Sequence, residues 1–362
     1  MTSSSVGKQA PHDVLETEIP VAMQEPVPTA VPVPTRAQRL RRGLDPAALT
    51  LVPAIILACV VGALINSAFL TESNFVNNIL TTSAVLGVVV IAESIILIGG
   101  FFDLSLQSTV GFAPMVMAVL VSPASASGHH WPLFAGVLVT LGLVLFIGFV
   151  NGVMIARMKL NAFIVTLAML ILLQGLTVGI SGGQTYADLP PLMTLLGRLK
   201  IIGMPVQAWI FVLSFIAAYL FMRYIPTGRR IYAMGGNLDA ARAAGVRTTR
   251  LTIGIIMFGS ILAAVAGFML TARISSVTSD QGANLIFTVF AAAVIGGINL
   301  NGGRGNLIGA GLGVLLLGII QNILTLSNVP SFWIDAVYGG IILSALLIGW
   351  VSTNLSAKSR PA

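Results

Sequence analysis

The sequence predicts an all-α membrane protein that crosses the bilayer about ten times and keeps both termini in the cytoplasm. Hydrophobic residues make up 56% of its 362 residues, whereas charged residues make up only 9%. Soluble domains carry about 25% charged residues, so this chain has too few charges to cover a soluble fold of its length. The apolar runs are continuous and do not alternate, which indicates membrane helices and not the strands of a β-barrel.

Residues 1–48 differ in composition from the rest of the chain. They are rich in proline and contain several acidic residues but little apolar periodicity. Such a segment cannot bury a core, so we expect a disordered cytoplasmic tail. It is also too polar to be a secretory signal peptide. Residues 352–362 are expected to form a second, short cytoplasmic tail after a transmembrane domain at 49–351.

Ten apolar segments between the two tails are suited to membrane helices, because a span needs about 20 residues. The eighth segment is short and ends in glycines, so we expect it to be partial or tilted. The ten segments are 49–70, 79–99, 105–122, 132–155, 162–181, 205–224, 251–271, 284–298, 306–326 and 333–351.

The basic residues orient these segments. With the N-terminus in the cytoplasm and alternating spans, all but three of the 19 lysines and arginines fall on the cytoplasmic side. The three exceptions are Arg198, Lys200 and Arg273. The positive-inside rule therefore favours cytoplasmic termini and an even number of spans.

The sequence lacks the motifs of an enzyme or an ATP-binding protein. It contains no glycine-rich loop of the form G-x-x-x-x-G-K-[ST], no H-E-x-x-H and no plausible nucleophile triad. We therefore predict no catalytic residue, no metal site and no cofactor bound by this chain. The single cysteine, Cys59, lies in an apolar run, and the three histidines do not form a metal-binding pattern.

Few acidic residues lie in or near the spans. Glu93 is inside the second span, Asp103 lies just beyond its end, and Asp335 opens the tenth. Ion-coupled carriers usually need buried ionisable residues to relay protons or to bind sodium, and Glu93 is the best candidate for such a role. The alternative is a buried acid that is hydrogen-bonded to a neighbouring helix.

The segment Gly99–Ser105 separates two spans without any basic residue. It is expected to break the helix inside the membrane, where irregular backbone survives only within protein or along a cavity. Phe101 and Phe102 would stack on the apolar face of a sugar, and Asp103 and Ser105 would hydrogen-bond to it. The alternative is a tight turn in which Asp103 or Ser105 caps the next helix.

The polar, basic segment 225–250 predicts a short capped helix between the sixth and seventh spans. Asn237 suits the N-cap, Asp239 the positive end of the helix dipole, and Gly245 the left-handed position after the last turn. Helices shorter than about 12 residues are marginal in water, so this helix must pack on something. Its alanines would fit either the groove of a partner or the chain's own membrane domain. These alanines are Ala240, Ala241, Ala243 and Ala244.

The segment Thr227–Val246 resembles the coupling loop of the ribose-type (monosaccharide) ABC importer permeases. Gly99–Ser105 is similar to that family's Gly-Gly-Ile-Asp-Leu-Ser element. Gly148–Gly152, followed by Phe163–Leu167 and Gly182-Gly183, resembles its central spans. Ala291–Gly297, with Gly302–Gly305 and Gln321-Asn322, resembles its C-terminal signature. Together these stretches extend the resemblance over residues 75–350.

The resemblance implies a permease subunit of an ATP-driven importer that moves a monosaccharide across the bacterial inner membrane. It implies three protein partners and the lipid bilayer. The proteins are a second permease subunit (identical or different), a cytoplasmic ABC ATPase that holds ATP and Mg, and a periplasmic sugar-binding protein. No nucleic acid is implied. A permease of the same architecture for an amino acid, a nucleoside or a signalling sugar is an alternative, and an ion-coupled secondary carrier is a further one.

The resemblance also implies roles for two sets of residues. The ATPase-coupling residues are Thr227, Gly228, Arg229, Arg230, Gly235, Gly236, Asn237, Asp239, Ala240, Ala241 and Gly245. The candidates for the substrate path are Phe101, Phe102, Asp103, Ser105, Asn151, Thr166 and Asn322.

Overall fold

A computed structural model describes residues 46–123, 128–330, 332–341, 343–344 and 347. Residues 1–45 of the predicted N-terminal tail and the predicted C-terminal tail at 352–362 lie outside the described residues. The first helix begins at Pro46, slightly before the predicted start of the first span at residue 49.

The described chain is predominantly helical, which confirms the predicted all-α class. A helical stretch at 332–341 follows the last complete helix. The complete elements are α1 (Pro46–Ile65), a π-helical turn (Asn74–Ile79) that continues into α2 (Leu80–Ile98), α3 (Ser105–Val121), α4 (Leu133–Ala156), α5 (Ala162–Ser181), α6 (Pro191–Arg198), β1 (Lys200–Ile201), β2 (Met204–Pro205), α7 (Val206–Tyr224), α8 (Pro226–Gly236), α9 (Leu238–Ala243), α10 (Thr248–Ile274), α11 (Leu285–Ile295) and α12 (Leu307–Leu326).

Each of the ten predicted segments contains helix, but in the described part of the chain six helices are long and apolar enough to cross a membrane. Shorter apolar helices occupy the first, third and eighth predicted segments. A polytopic membrane protein is therefore confirmed, whereas ten complete spans remain a prediction. The six long helices are Asn74–Ile98, Leu133–Ala156, Ala162–Ser181, Val206–Tyr224, Thr248–Ile274 and Leu307–Leu326.

Helix α2 lies at the centre of the bundle. Every residue from Ser83 to Ile98 is buried, and α2 packs against α7, α10, α11 and α12. The outer helices instead expose large apolar side chains such as Phe146 on α4, Ile171 on α5 and Leu213 on α7. This outward apolar surface is the reverse of a soluble fold and suits contact with lipid.

The connections between helices collect at two ends of the bundle. At one end, the Gly303 N–H donates to the carbonyl of Ile98 at 2.9 Å, and Gly235 packs beside both. We call this the Gly235 end. At the opposite end, Tyr186 and Val277 exchange two backbone hydrogen bonds of 2.8 and 2.9 Å. Four loops belong to the Gly235 end, and the predicted alternation of spans assigns all four to one side of the membrane. They are 99–105, 157–161, 225–250 and 296–306.

Some elements were not predicted from the sequence. Helix α6 and the antiparallel pair β1–β2 form the connection between α5 and α7 at the opposite end. Helix α8 occupies the first half of the segment 225–250, where only the shorter α9 was expected. Pro226 takes the first position of α8, where its missing N–H costs no helical hydrogen bond.

Candidate coupling surface and buried polar groups

Helix α9 has the N-cap that the sequence predicts. The Asn237 side chain accepts hydrogen bonds from the N–H groups of Asp239 at 3.1 Å and Ala240 at 2.9 Å. Asn237 itself is extended, with φ of −158°, so that it ends α8 and starts α9. Asp239 lies in the first turn, near the positive end of the helix, and forms a 3.5 Å ion pair with the exposed Arg242.

The end of α9 also matches its prediction. Gly245 has φ of +81°, the left-handed conformation that glycine adopts without strain. The Gly245 N–H donates to Arg242 O at 2.9 Å, and the Val246 N–H donates to Ala241 O at 3.0 Å. This pair of bonds is a Schellman motif, which satisfies the free carbonyls at the end of a helix. Short-range sequence signals therefore fix both ends of α9.

One side of α9 faces outward and the other packs on the bundle. Ala240, Ala243 and Ala244 are exposed, as binding in a partner's groove would require. Ala241, which the sequence analysis grouped with them, is buried and 4% exposed, and Leu238 packs on the same core. Packing on the chain's own membrane domain is therefore confirmed, whereas docking of the exposed alanines in a partner's groove stays a prediction.

Helix α8 carries the other predicted coupling residues. Arg229 and Arg230 are exposed, whereas Thr227 lines a groove between α7 and α10. Gly228 is buried against α7, where an added Cβ would lie 2.6 Å from the Cα of Met222. Ile231 and Met234 anchor the inner side of α8 in the core. The basic surface and the apolar anchor thus lie on opposite sides of one helix.

Gly235 joins the coupling segment to the bundle by direct backbone contact. A Cβ at this position would overlap the carbonyl oxygen of Ile98, which ends α2, and would lie 2.6 Å from the N of Gly303. Gly100 and Gly302 complete the junction, since a Cβ on Gly302 would lie 2.7 Å from the Cα of Gly100. Three chain segments therefore meet with no side chain between them, and α8 is in direct contact with the end of α2.

The break after α2 contains a fully buried polar cluster. The Asp103 N–H donates to Glu93 Oε1 at 3.3 Å, and Asp103 Oδ1 accepts from the Ser105 N–H at 2.9 Å and from the Ser105 hydroxyl at 2.5 Å. The Asn151 amide of α4 donates to the Ser105 hydroxyl at 3.0 Å. Asp103 thus satisfies a free N–H at the start of α3, as the helix-cap alternative predicts, and the break is enclosed by protein.

Some polar atoms of this cluster are left without a partner. Within the described part of the chain, Asp103 Oδ2, Glu93 Oε2 and Asn151 Oδ1 have no hydrogen-bond partner. The cluster is therefore polar beyond what its own hydrogen bonds satisfy.

The remaining path candidates lie in different places. Phe101 lines a cavity of about 290 Å³ at the Gly235 end, together with Lys159 and Arg242. Phe102 packs against Phe290 of α11 with ring centroids 5.9 Å apart. Thr166 is buried and donates to the carbonyl of Ala162, one turn earlier in α5.

Asn322 is held by an amide pair. Its side chain and that of Asn74 exchange two hydrogen bonds of 2.8 and 2.9 Å across a separation of 248 residues. This pair ties α12 to the π-helical turn before α2. The structure brings Asp103, Ser105 and Asn151 together, whereas Asn322 lies in this separate contact, and a role of any of these residues in the path remains a prediction.

The sequence analysis missed a second break in the bundle, at Thr278–Asn284. The Gln281 side chain donates to the carbonyl of Gly267 at 3.1 Å and to the Thr271 hydroxyl at 3.1 Å. Gly267 precedes the end of α10 by seven residues, or about 10 Å. The segment therefore folds back into the bundle. The polar run Ser279–Gln281 before a short apolar helix was the signal in the sequence.

The fold and these contacts define a polytopic membrane protein with a small exposed helix, α9, at one end. The preceding helix, α8, contacts the end of the central helix α2 through Gly235. Residues 75–348 match the model of a protein family described as branched-chain amino acid transport system / permease component. The chain belongs to this family of transport permeases.

Individual relatives are permeases of ABC import systems. The ribose import permease of Bacillus subtilis is 33% identical over 296 residues, which cover 81% of this chain and 90% of that protein. The L-arabinose ABC transporter permease of Azospirillum brasilense is 32% identical, with 79% of this chain and 82% of that protein covered. An autoinducer 2 import permease of Salmonella choleraesuis is 30% identical over 82% of this chain and 84% of its own length. No solved structure is significantly similar to the chain.

Proposed function

We propose that this chain is the permease subunit of an ATP-driven ABC importer that carries a monosaccharide, or a solute closely related to one, into the cell. Similarity to permeases named for ribose, L-arabinose and autoinducer 2 import supports the sugar class. The family's own description names branched-chain amino acids, so an amino acid is the second candidate for the cargo.

The observation that carries this proposal is the backbone junction at Gly235. The exposed residues of α8 and α9 form a small docking surface, and Gly235 connects that surface to the last carbonyl of the central helix. Movement of an ATPase that binds α9 in a groove would be transmitted to α2 through α8. Because the sequence has no P-loop of its own, ATP and Mg would be held by this separate ATPase.

The other proposed partners follow from the same orientation. The Gly235 end faces the cytoplasm, since it collects most of the lysines and arginines outside the tails. A periplasmic sugar-binding protein then delivers the cargo at the opposite end. A second permease subunit, identical to this chain or different from it, completes the path within the inner membrane.

Transport driven by a separate ATPase is tested by uptake of radiolabelled D-ribose, L-arabinose and L-leucine into cells that express the complete transport system. We expect sugar accumulation that disappears when the ATPase is replaced by a variant unable to hydrolyse ATP. Accumulation that persists without ATP hydrolysis would contradict the ABC mechanism. Accumulation of leucine in place of either sugar would identify the cargo as an amino acid.

A further inference from the structure

A cavity with several polar lining groups lies at the opposite end of the bundle, and none of the residues predicted for the substrate path lines it. It has a volume of about 250 Å³. Val85 and Leu86, in the first turns of α2, form its inner wall, about 20 Å along that helix from Ile98 at the Gly235 end. The cavity is therefore located where a solute would arrive before it reaches the coupling region.

The second break forms one wall of this cavity. Ala283, Asn284 and Leu285 line it at the point where the chain turns from the break into α11. Asn284 adopts a left-handed conformation with φ of +61°. The Ile286 N–H donates a hydrogen bond to Gln107 Oε1 of α3 at 3.2 Å. Irregular backbone at membrane depth persists where it lines a cavity, and this break meets that condition.

Two opposite charges face the cavity. Arg273 reaches it from the end of α10, and Asp335 from the helical stretch 332–341. Among the described residues neither forms an ion pair, and Asp335 is held through Oδ2 by the Asn284 amide at 3.3 Å. Asp335 Oδ1 and the guanidinium of Arg273 therefore retain hydrogen-bonding capacity for a ligand.

Uncharged polar groups surround the two charges. Thr82, Thr288 and Gln321 each line the cavity and can both donate and accept hydrogen bonds. Tyr338 also lines it and is 5% exposed, and its hydroxyl has no partner among the described residues. A buried hydroxyl without a partner is destabilising, so a ligand that hydrogen-bonds to this hydroxyl would remove that cost.

We propose that this cavity, with Arg273, Asn284, Thr288, Gln321, Asp335 and Tyr338, is a solute-binding site of the permease for one neutral, polyhydroxylated ring. The inference rests on the proposed function and adds the location and chemistry of a site. One positive and one negative group leave the site without net charge. The neutral donors and acceptors around them match a ring of hydroxyl groups, each of which both donates and accepts.

Apolar side chains also line the cavity, namely those of Val85, Leu86, Leu270, Leu285 and Ile334. A branched-chain amino acid, whose carboxylate and ammonium would pair with Arg273 and Asp335, is therefore the competing ligand. Protection by leucine in the experiment below tests it.

Protection of a cysteine from alkylation tests occupancy of the cavity directly. In the complete transporter, Cys59→Ser removes the native thiol, and Ala283→Cys places one in the cavity wall at a residue that is not proposed to bind the solute. Ser327→Cys, exposed at the same end of the bundle but outside the cavity, is the matched control. We expect D-ribose or L-arabinose to slow alkylation of the cysteine at position 283 and to leave that at position 327 unchanged. If Ala283→Cys fails to insert, Leu285→Cys takes its place.

Two further variants separate binding from folding. Asp335→Asn should raise the half-protecting sugar concentration about tenfold, because a charged hydrogen-bond partner is lost. Tyr338→Phe should raise it about three- to tenfold while the melting temperature stays equal or increases, because the unpaired hydroxyl is removed. If Tyr338 had only a structural role, its replacement would not change the half-protecting sugar concentration independently of the melting temperature. Asp188→Asn and Tyr224→Phe, at exposed positions, are the matched controls and should change neither value.

The outcomes distinguish this inference from the proposed function. If the wild-type transporter accumulates sugar but sugar gives no protection at position 283 or 285, the proposed site is wrong while the proposed function stands. If leucine protects and neither sugar does, the ligand class is wrong. If no sugar is accumulated at all, the proposed function fails, and this inference fails with it.

Discussion

Gly235 shows how a single missing side chain allows two backbone segments to touch. Its backbone is not in the left-handed region, so glycine is not required there for its conformation. It is required for space, because a Cβ would overlap the carbonyl oxygen of Ile98. The next residue, Gly236, has nothing within 4 Å of an added Cβ. Two adjacent glycines thus differ only in what surrounds them.

We therefore expect Gly235→Ala to be harmful and Gly236→Ala to be tolerated. Overpacking at Gly235 should lower the free energy of unfolding by about 1–3 kcal/mol and should reduce sugar uptake more than ATP hydrolysis. Gly236→Ala should be neutral or stabilising by about 0.4–1 kcal/mol. Thermal unfolding of the purified transporter and the ratio of uptake to ATP hydrolysis measure the two effects. Equal behaviour of the two variants would show that the junction carries no movement.

Residue roles were predictable from the sequence where the signal is local. Asn237 and Gly245 act on neighbours within five positions, and their capping roles were predicted correctly. The inward orientation of Ala241 depends on the core beneath α9, and the Asn74–Asn322 pair joins residues 248 positions apart. Neither contact leaves a pattern in one sequence, because tertiary packing alone brings the partners together.

At the level of elements, the proposed coupling role of α9 requires that it remain a helix. It has six residues, which is too few for stability in water without caps or packing. Its N-cap, its Schellman motif and the buried Ala241 supply that stability. A partner that binds the exposed alanines would therefore meet a preformed surface.

Removing the N-cap should uncouple the transporter while the chain still inserts. Asn237→Ala loses the hydrogen bonds to Asp239 and Ala240, at a cost of about 1 kcal/mol. Asn161→Ala is the matched control, because Asn161 caps α5 at the same end of the bundle through the Ile164 N–H. We expect uptake to fall several-fold in Asn237→Ala and to remain in Asn161→Ala, measured at equal amounts of inserted protein. A comparable loss in both variants would indicate general destabilisation and not a coupling role of α9.

The lengths of the elements were harder to predict than their existence. The eighth segment, at 284–298, was correctly expected to be short, and α11 has 11 residues. Helix α8 was missed because its sequence contains Pro226 and three glycines, which are poor helix formers. Burial of Ile231 and Met234 outweighs that low propensity. Likewise, the second break was missed because only its contacts with α10 reveal that it enters the bundle.

For the whole molecule, the two ends of the bundle have different chemical character. The Gly235 end presents arginines on α8 and α9 and on the loop that contains Arg304. The opposite end carries Arg198, Lys200 and Arg273, the three basic residues that the charge pattern left outside the cytoplasm. Between the ends, α4, α5 and α7 expose apolar side chains. Under the positive-inside rule this distribution favours a cytoplasmic Gly235 end, where the proposed ATPase would dock.

The orientation predicts which loops a membrane-impermeant thiol reagent can reach. In a chain with Cys59→Ser, Lys200→Cys at the opposite end should react in intact spheroplasts, whereas Asn301→Cys at the Gly235 end should react only after permeabilisation. Both positions are exposed, so a difference in labelling reports the side of the membrane and not burial. Labelling of Asn301→Cys from outside would reverse the topology and place α9 beyond the reach of a cytoplasmic ATPase. Labelling of both from outside would show that the number of crossings between residues 200 and 301 is even. In either case the coupling surface would have to be sought elsewhere.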